Sequence, residues 1–188
     1  MKIELEQVSP HEIEKRSFEI ITEELNGRTF PEDQELVVKR CIHTSADFDY
    51  ADNLCFSEHA VAKGIEAIRE GACIVTDTQM ARSGINKKVL ARHGCMEKAA
   101  ELDKKLIIAV GNAPTALVRL YELIGEGKIK PALIIGVPVG FVNVVQSKEL
   151  IMQTNIPYIV ARGRKGGSNI AACICNALLY MMDQDRGY

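Results

Sequence analysis

Apolar residues along the 188-residue chain change their rhythm once. In the first seventy positions they recur three and four apart, the spacing of one helix face; beyond, they gather into short β-rich runs separated by further helical stretches. Ser9-Pro10-His11-Glu12 reads as a capping box with proline at the first helical position. Ile13, Ser17, Ile20, Ile21 and Leu25 then share a face, and Asn26-Gly27 closes the helix. Pro31 opens a second helix with acids in its first turn, running through Leu36, Arg40 and His43. Ser57 is the expected cap of a third, through Val61, Ile65 and Ile68 to Gly71.

The strand-like runs cover residues 72–76, 106–110, 132–136 and 157–161, and helices are predicted at 114–125, 142–153 and 168–183. Strand, helix, strand in repetition implies an α/β fold: a mostly parallel sheet of about four to five strands, helices on both faces, right-handed crossovers. No linker, repeat or low-complexity stretch interrupts it, so residues 1–188 are read as a single domain.

Composition narrows the partners. Twenty-three basic against 25 acidic side chains give a net charge of -2, which argues against nucleic acid. No apolar run nears the roughly 20 residues that cross a bilayer; the longest, residues 132–140, reads as a buried strand and its turn. The first six residues alternate charged with apolar side chains, unlike a secretory signal, so a cytoplasmic setting is expected. Six scattered cysteines then imply reduced thiols, with no close Cys-x-x-Cys pair. Cys41, His43, Cys55 and His59 could be drawn as a zinc set, but a Cys-x-His pair diverges on a helix or strand. No resident metal is expected.

In an open parallel sheet, ligands bind beyond the carboxyl ends of the strands. The segments there are Asp77-Thr78-Gln79-Met80, Gly111-Asn112-Ala113-Pro114-Thr115, Val137-Pro138-Val139-Gly140 and Arg162-Gly163-Arg164-Lys165-Gly166-Gly167-Ser168. The last sets three cations and exposed backbone N–H groups before a helix start, which suits carboxylate or phosphate oxygens. It matches neither GxxxxGK[ST] nor GxGxxG, which disfavours ATP and NAD. The candidate binding residues are Ser17, Thr44, Asp77, Asn112, Arg162, Arg164, Lys165, Gly167 and Ser168. His43, beside a hydroxyl and near Asp47, is the candidate proton carrier, since imidazole titrates near neutrality; a structural histidine at a helix end is the plain alternative. Ser17 has its own: a bond back to the carbonyl four residues earlier.

Several segments, in colinear order over most of the chain, resemble the precorrin-8X methylmutase family. They are Ser17-Phe18, residues 40–47, the run GNAPTAL at 111–117, the run GVPVGFV at 136–142 with Ser147-Lys148, and Gly166-Gly167-Ser168. The resemblance implies an α/β homodimer with its active site near the subunit interface. It also implies an isomerase of cobalamin biosynthesis that moves a methyl group between neighbouring carbons of ring C of a corrinoid. His43 would be the acid that promotes the sigmatropic shift. No cofactor is implied; cobalt, if any, arrives in the substrate.

One stretch departs from the family pattern. Family members carry an extra strand and a helix opening with Thr-Arg-Ser before the GNAP run, where residues 85–110 show one helical stretch and one strand, with Glu97-Lys98 near that motif's place. The sheet is then expected to be a strand smaller, with Arg82, Arg92 or Lys98 as stand-ins for the arginine. Two other functions stay open: a corrinoid carrier without turnover, and an enzyme derived from the family that acts on a smaller anion.

Overall fold

A computed structural model describes residues 9, 12–86 and 105–183. The proposed shortening, with Arg92 and Glu97-Lys98, lies mostly or wholly outside them. The order is α1 (Ile13–Glu24), α2 (Glu32–Ser45), α3 (Tyr50–Asn53), β1 (Leu54–Phe56), α4 (Ala60–Arg69), β2 (Cys73–Thr76), α5 (Gln79–Gly84), β3 (Leu106–Val110), α6 (Pro114–Gly125), β4 (Leu133–Gly136), α7 (Val144–Met152), β5 (Tyr158–Ala161) and α8 (Ser168–Tyr180). The four expected strands are all present. Together with β1 they form one sheet of order β1-β5-β4-β3-β2, parallel except for β1 against β5.

Alternation along the strands explains the layers. Ile107, Ala109, Leu133, Ile135, Ile159 and Ala161 face one way, into a large core shared with α2, α4, α5 and α8. Val110, Ile134 and Val160 face the other way, onto Leu117 and Leu120 of α6 and Ile151 of α7. Both faces are thus covered, as the continuous apolar runs required.

Local chemistry shifts several boundaries. Ser9 Oγ donates to Glu12 Oε2 at 2.6 Å, so this pair does not cap backbone N–H groups and α1 begins at Ile13. The close at Asn26 and Gly27 holds, both at positive φ. Ser57 does not cap the third helix: its backbone N–H and its Oγ pair with the backbone of Tyr158, and α4 starts after His59. The segment after β2 folds directly into α5, capped by Thr78, whose Oγ1 accepts from Ala81 N at 3.1 Å. The short α3 and β1 were not anticipated; three strand residues are too few to show a period.

β1 decides where the N-terminal half ends up. Because it runs against β5, with Leu54 opposite Ala161, its first residue sits at the carboxyl edge of the parallel strands. Arg162 N donates to Asn53 O at 2.7 Å and seals that junction. The end of α2 and the α2–α3 turn are thereby carried to the edge where ligands are expected.

Candidate functional site

His43 lies in the last turn of α2, which Ala46 ends in the left-handed conformation at φ 53°. Val37, Val38, Cys41 and Ile42 bury the opposite side of the helix, so His43 is left exposed. The Phe18 ring of α1 stacks on the imidazole, centroids 5.7 Å apart and planes 18° from parallel. Behind Phe18, the Arg40 guanidinium stands 5.6 Å from that ring and 4.4 Å from the Tyr180 ring of α8. Arg40 is itself buried and pairs with Glu14. A stack of ring, cation, ring and imidazole thus runs outward from α8.

Thr44, next to His43, donates through Oγ1 to Cys173 Sγ of α8 at 3.1 Å. The Cys41 thiol, the Thr44 hydroxyl and the Arg40 charge, in that order, hold Cys173 below an ordinary thiol, against the effect of burial. Cys173 is five residues past Ser168, so Thr44 meets α8 roughly 7.5 Å along the axis from its start. Ser17 bonds back to Ile13 O at 2.8 Å, the local alternative.

The strand-end loops tie to one another. Asp77 accepts from the backbone N–H groups of Gly111 at 3.0 Å and of Asn112 and Ala113 at 2.8 Å, which fixes the start of the GNAP run. Thr78 Oγ1 donates to Ser168 Oγ at 2.8 Å. Gly111 passes so close to α8 that an added Cβ would lie 2.6 Å from the Ser168 Cα. Gly167 N donates to Val137 O at 2.8 Å and Gly140 N to Arg164 O at 3.1 Å. Gly166, at φ 153°, has no room for a side chain: a Cβ would fall 2.1 Å from Val137 O.

The three cations after β5 take different partners. Lys165 reaches Asp47 at 2.6 Å and Asp49 at 2.5 Å, so it staples the glycine loop to the turn after His43. That contact holds Asp47 below the usual carboxylate range and Lys165 above the usual amine range. Arg162 turns to Glu149 of α7 at 3.5 Å. Arg164 lies over the exposed Phe141 ring at 5.2 Å and has no carboxylate partner among the described residues. Thr44, Asp77, Ser168, Gly167 and all three cations therefore belong to one connected edge, but Asp77 and Lys165 are spent on holding it together. Asn112 is exposed there and enters the network through its backbone. Asp49 and Phe141 were missed by the sequence reading. So was any role for Lys148, although it shares the inner side of α7 with Val144 and Ile151.

The imagined zinc set is not assembled: Cys41 is in the core, His43 and His59 are exposed, and Cys55 Sγ turns to Asn53 O. An exposed imidazole, a guanidinium and a helix start fit proton transfer to a carboxylate-bearing molecule.

The family model described as precorrin-8X methylmutase matches residues 12–96 and 93–181, which takes in every strand and helix above. The chain belongs to that family. It is 40% identical to the cobalt-precorrin-8 methylmutase of Priestia megaterium over 207 residues, 96% of this chain and 92% of that one. It is also 40% identical to the cobalt-precorrin-8 methylmutase of Leptospira interrogans, covering 93% and 94%. The crystal structure of precorrin-8x methyl mutase from Thermus thermophilus superposes with a TM-score of 0.85 at 36% identity, over 93% of this chain and 98% of that one. The methylmutase is thus an enzyme, an isomerase of cobalamin biosynthesis that shifts a methyl group within a corrinoid. The Priestia alignment is longer than this chain, so it holds stretches with no counterpart here. The two matched pieces meet at residues 93–96, inside the departure seen in the sequence. No described helix is long and apolar enough to cross a membrane.

Proposed function

We propose that this methylmutase acts on cobalt-precorrin-8, the substrate named for the relatives it resembles at 40% identity, with His43 as the general acid. One observation carries the reading: the only exposed imidazole at the strand-end edge among the described residues is held flat against Phe18, beside a loop that offers Arg164 and the start of α8. A corrinoid bears many carboxylates, which Arg164, the exposed Asn112 side chain and the hydroxyl and backbone N–H of Ser168 suit as partners. A proton from His43 to the ring C region withdraws electrons toward that site. The methyl group breaks from one ring carbon and bonds to its neighbour, and the proton returns to His43. Nothing is gained or lost, so the step requires no oxidant, methyl donor or resident cofactor, and cobalt enters as part of the substrate. Val139, Phe141 and Val142 stand 48%, 80% and 77% exposed beside this edge, which favours a second copy as their cover and hence a homodimer.

The test follows the visible spectrum of cobalt-precorrin-8 mixed with the purified enzyme. Wild type should convert it and His43→Ala should lose at least about a hundredfold in kcat. Undiminished turnover by His43→Ala sinks the assignment of the acid. Tight product binding without turnover by wild type would make the protein a carrier.

A further inference from the structure

Lys148 is wholly enclosed on the inner side of α7, among residues that need no charge there. Burial pulls its amine down to about 8, so water loss works against its charged form. Methionine would fill much the same space without that cost. What the lysine adds is two donated hydrogen bonds, from Nζ to Gly163 O at 2.8 Å and to Lys165 O at 2.9 Å. The carbonyl between them, of Arg164, accepts from Gly140 N at 3.1 Å. Three consecutive carbonyls are therefore pinned, two of them by one buried side chain, around the residue whose guanidinium has no carboxylate partner among the described residues.

We infer that Lys148 is a positioning residue for the methylmutase reaction: by gripping the carbonyls on either side of Arg164 it aims that guanidinium at a carboxylate of the substrate. The inference rests on the functional reading above. Lys148 itself touches no substrate; it acts through the peptide units that carry Arg164. A loop released from it would let Arg164 sample many directions, and the ordering would have to be supplied at each binding event.

The experiment is steady-state kinetics with cobalt-precorrin-8 on wild type, Lys148→Met, Arg164→Met and the double variant. Lys148→Met should raise KM about tenfold while kcat changes less than about threefold, and Arg164→Met should do the same. The double variant should be no worse than either alone, because the lysine works only through the arginine. A merely structural lysine would lower the folded fraction, leave KM of the folded enzyme unaltered, and add to the loss from Arg164→Met; either of the last two results overturns the proposal. Lys148→Gln, which keeps N–H donors without the charge, is the second variant should the methionine fail to fold, and it should recover part of the KM loss. Failure of both to fold assigns Lys148 to the stability of the fold and overturns the proposal as well. Absence of turnover by wild type overturns the functional reading, and this inference with it.

Discussion

Phe18 and His43 face each other at 5.7 Å with their rings 18° from parallel, although they belong to different helices. The contact sets one broad face of the imidazole against protein while the residue stays exposed. Arg40 of the same helix as His43 also packs on the Phe18 ring, 5.6 Å from its centroid.

Phe18→Leu should therefore reduce kcat about three- to tenfold, consistent with an aromatic pair worth about 0.5–1.5 kcal/mol, with KM little altered. Stopped-flow turnover of the corrinoid separates the two constants. An unchanged kcat would show that His43 is aimed by something else.

Asp77 is expected to matter through stability. Its carboxylate holds three consecutive N–H groups at the start of the GNAP run. Hydrogen bonds to a charged group are worth about 1.5–3 kcal/mol each and do not simply add. Asp77→Ala should cost about 2–4 kcal/mol in urea unfolding, and Asp77→Asn, which retains one acceptor oxygen, roughly half of that.

The staple between Lys165 and the Asp47–Asp49 turn sets a pH window. Asp47 titrates below 3.8 in the folded chain, so its contribution is present above that value and lost as pH falls through the lowered one. Lys165 titrates above 10.5, so its contribution is complete below that value and lost as pH rises through the raised one. The stability difference between wild type and Lys165→Met should be flat from about pH 5 to 9, vanish in acid, and shrink with added salt because the lysine is exposed. Buried Tyr50 beside this turn is pushed up to about 12 from 10. It removes stability as pH rises from 10 upward, and its phenolate absorbance should appear only beyond pH 11.

What could be read in advance follows from how local each cause is. β3 and α6 were located to the residue, because an unbroken Leu-Ile-Ile-Ala-Val run and a proline at the first helical position act within a few residues. β1 escaped because its strand character comes from pairing with β5, a hundred residues on. The loop after β5 was read as a candidate anion site, but its cations looked equivalent; only the fold gives Lys165 to Asp47 and Arg162 to Glu149 and leaves Arg164 over Phe141. Lys148 was quoted only for the resemblance, and its burial was legible but not drawn. Helical spacing alone sets it on the same side as Val144 and Ile151, where a charge needs a reason.

The antiparallel pairing of β1 with β5 has a consequence in time. The turn that follows the His43 helix and the cationic loop are 116 residues apart at the Asp49–Lys165 contact and meet only when the last strand has docked. A growing chain can form α2 and even most of the sheet without possessing this edge, so the edge is completed late, with the closing of one of the longer loops in the fold.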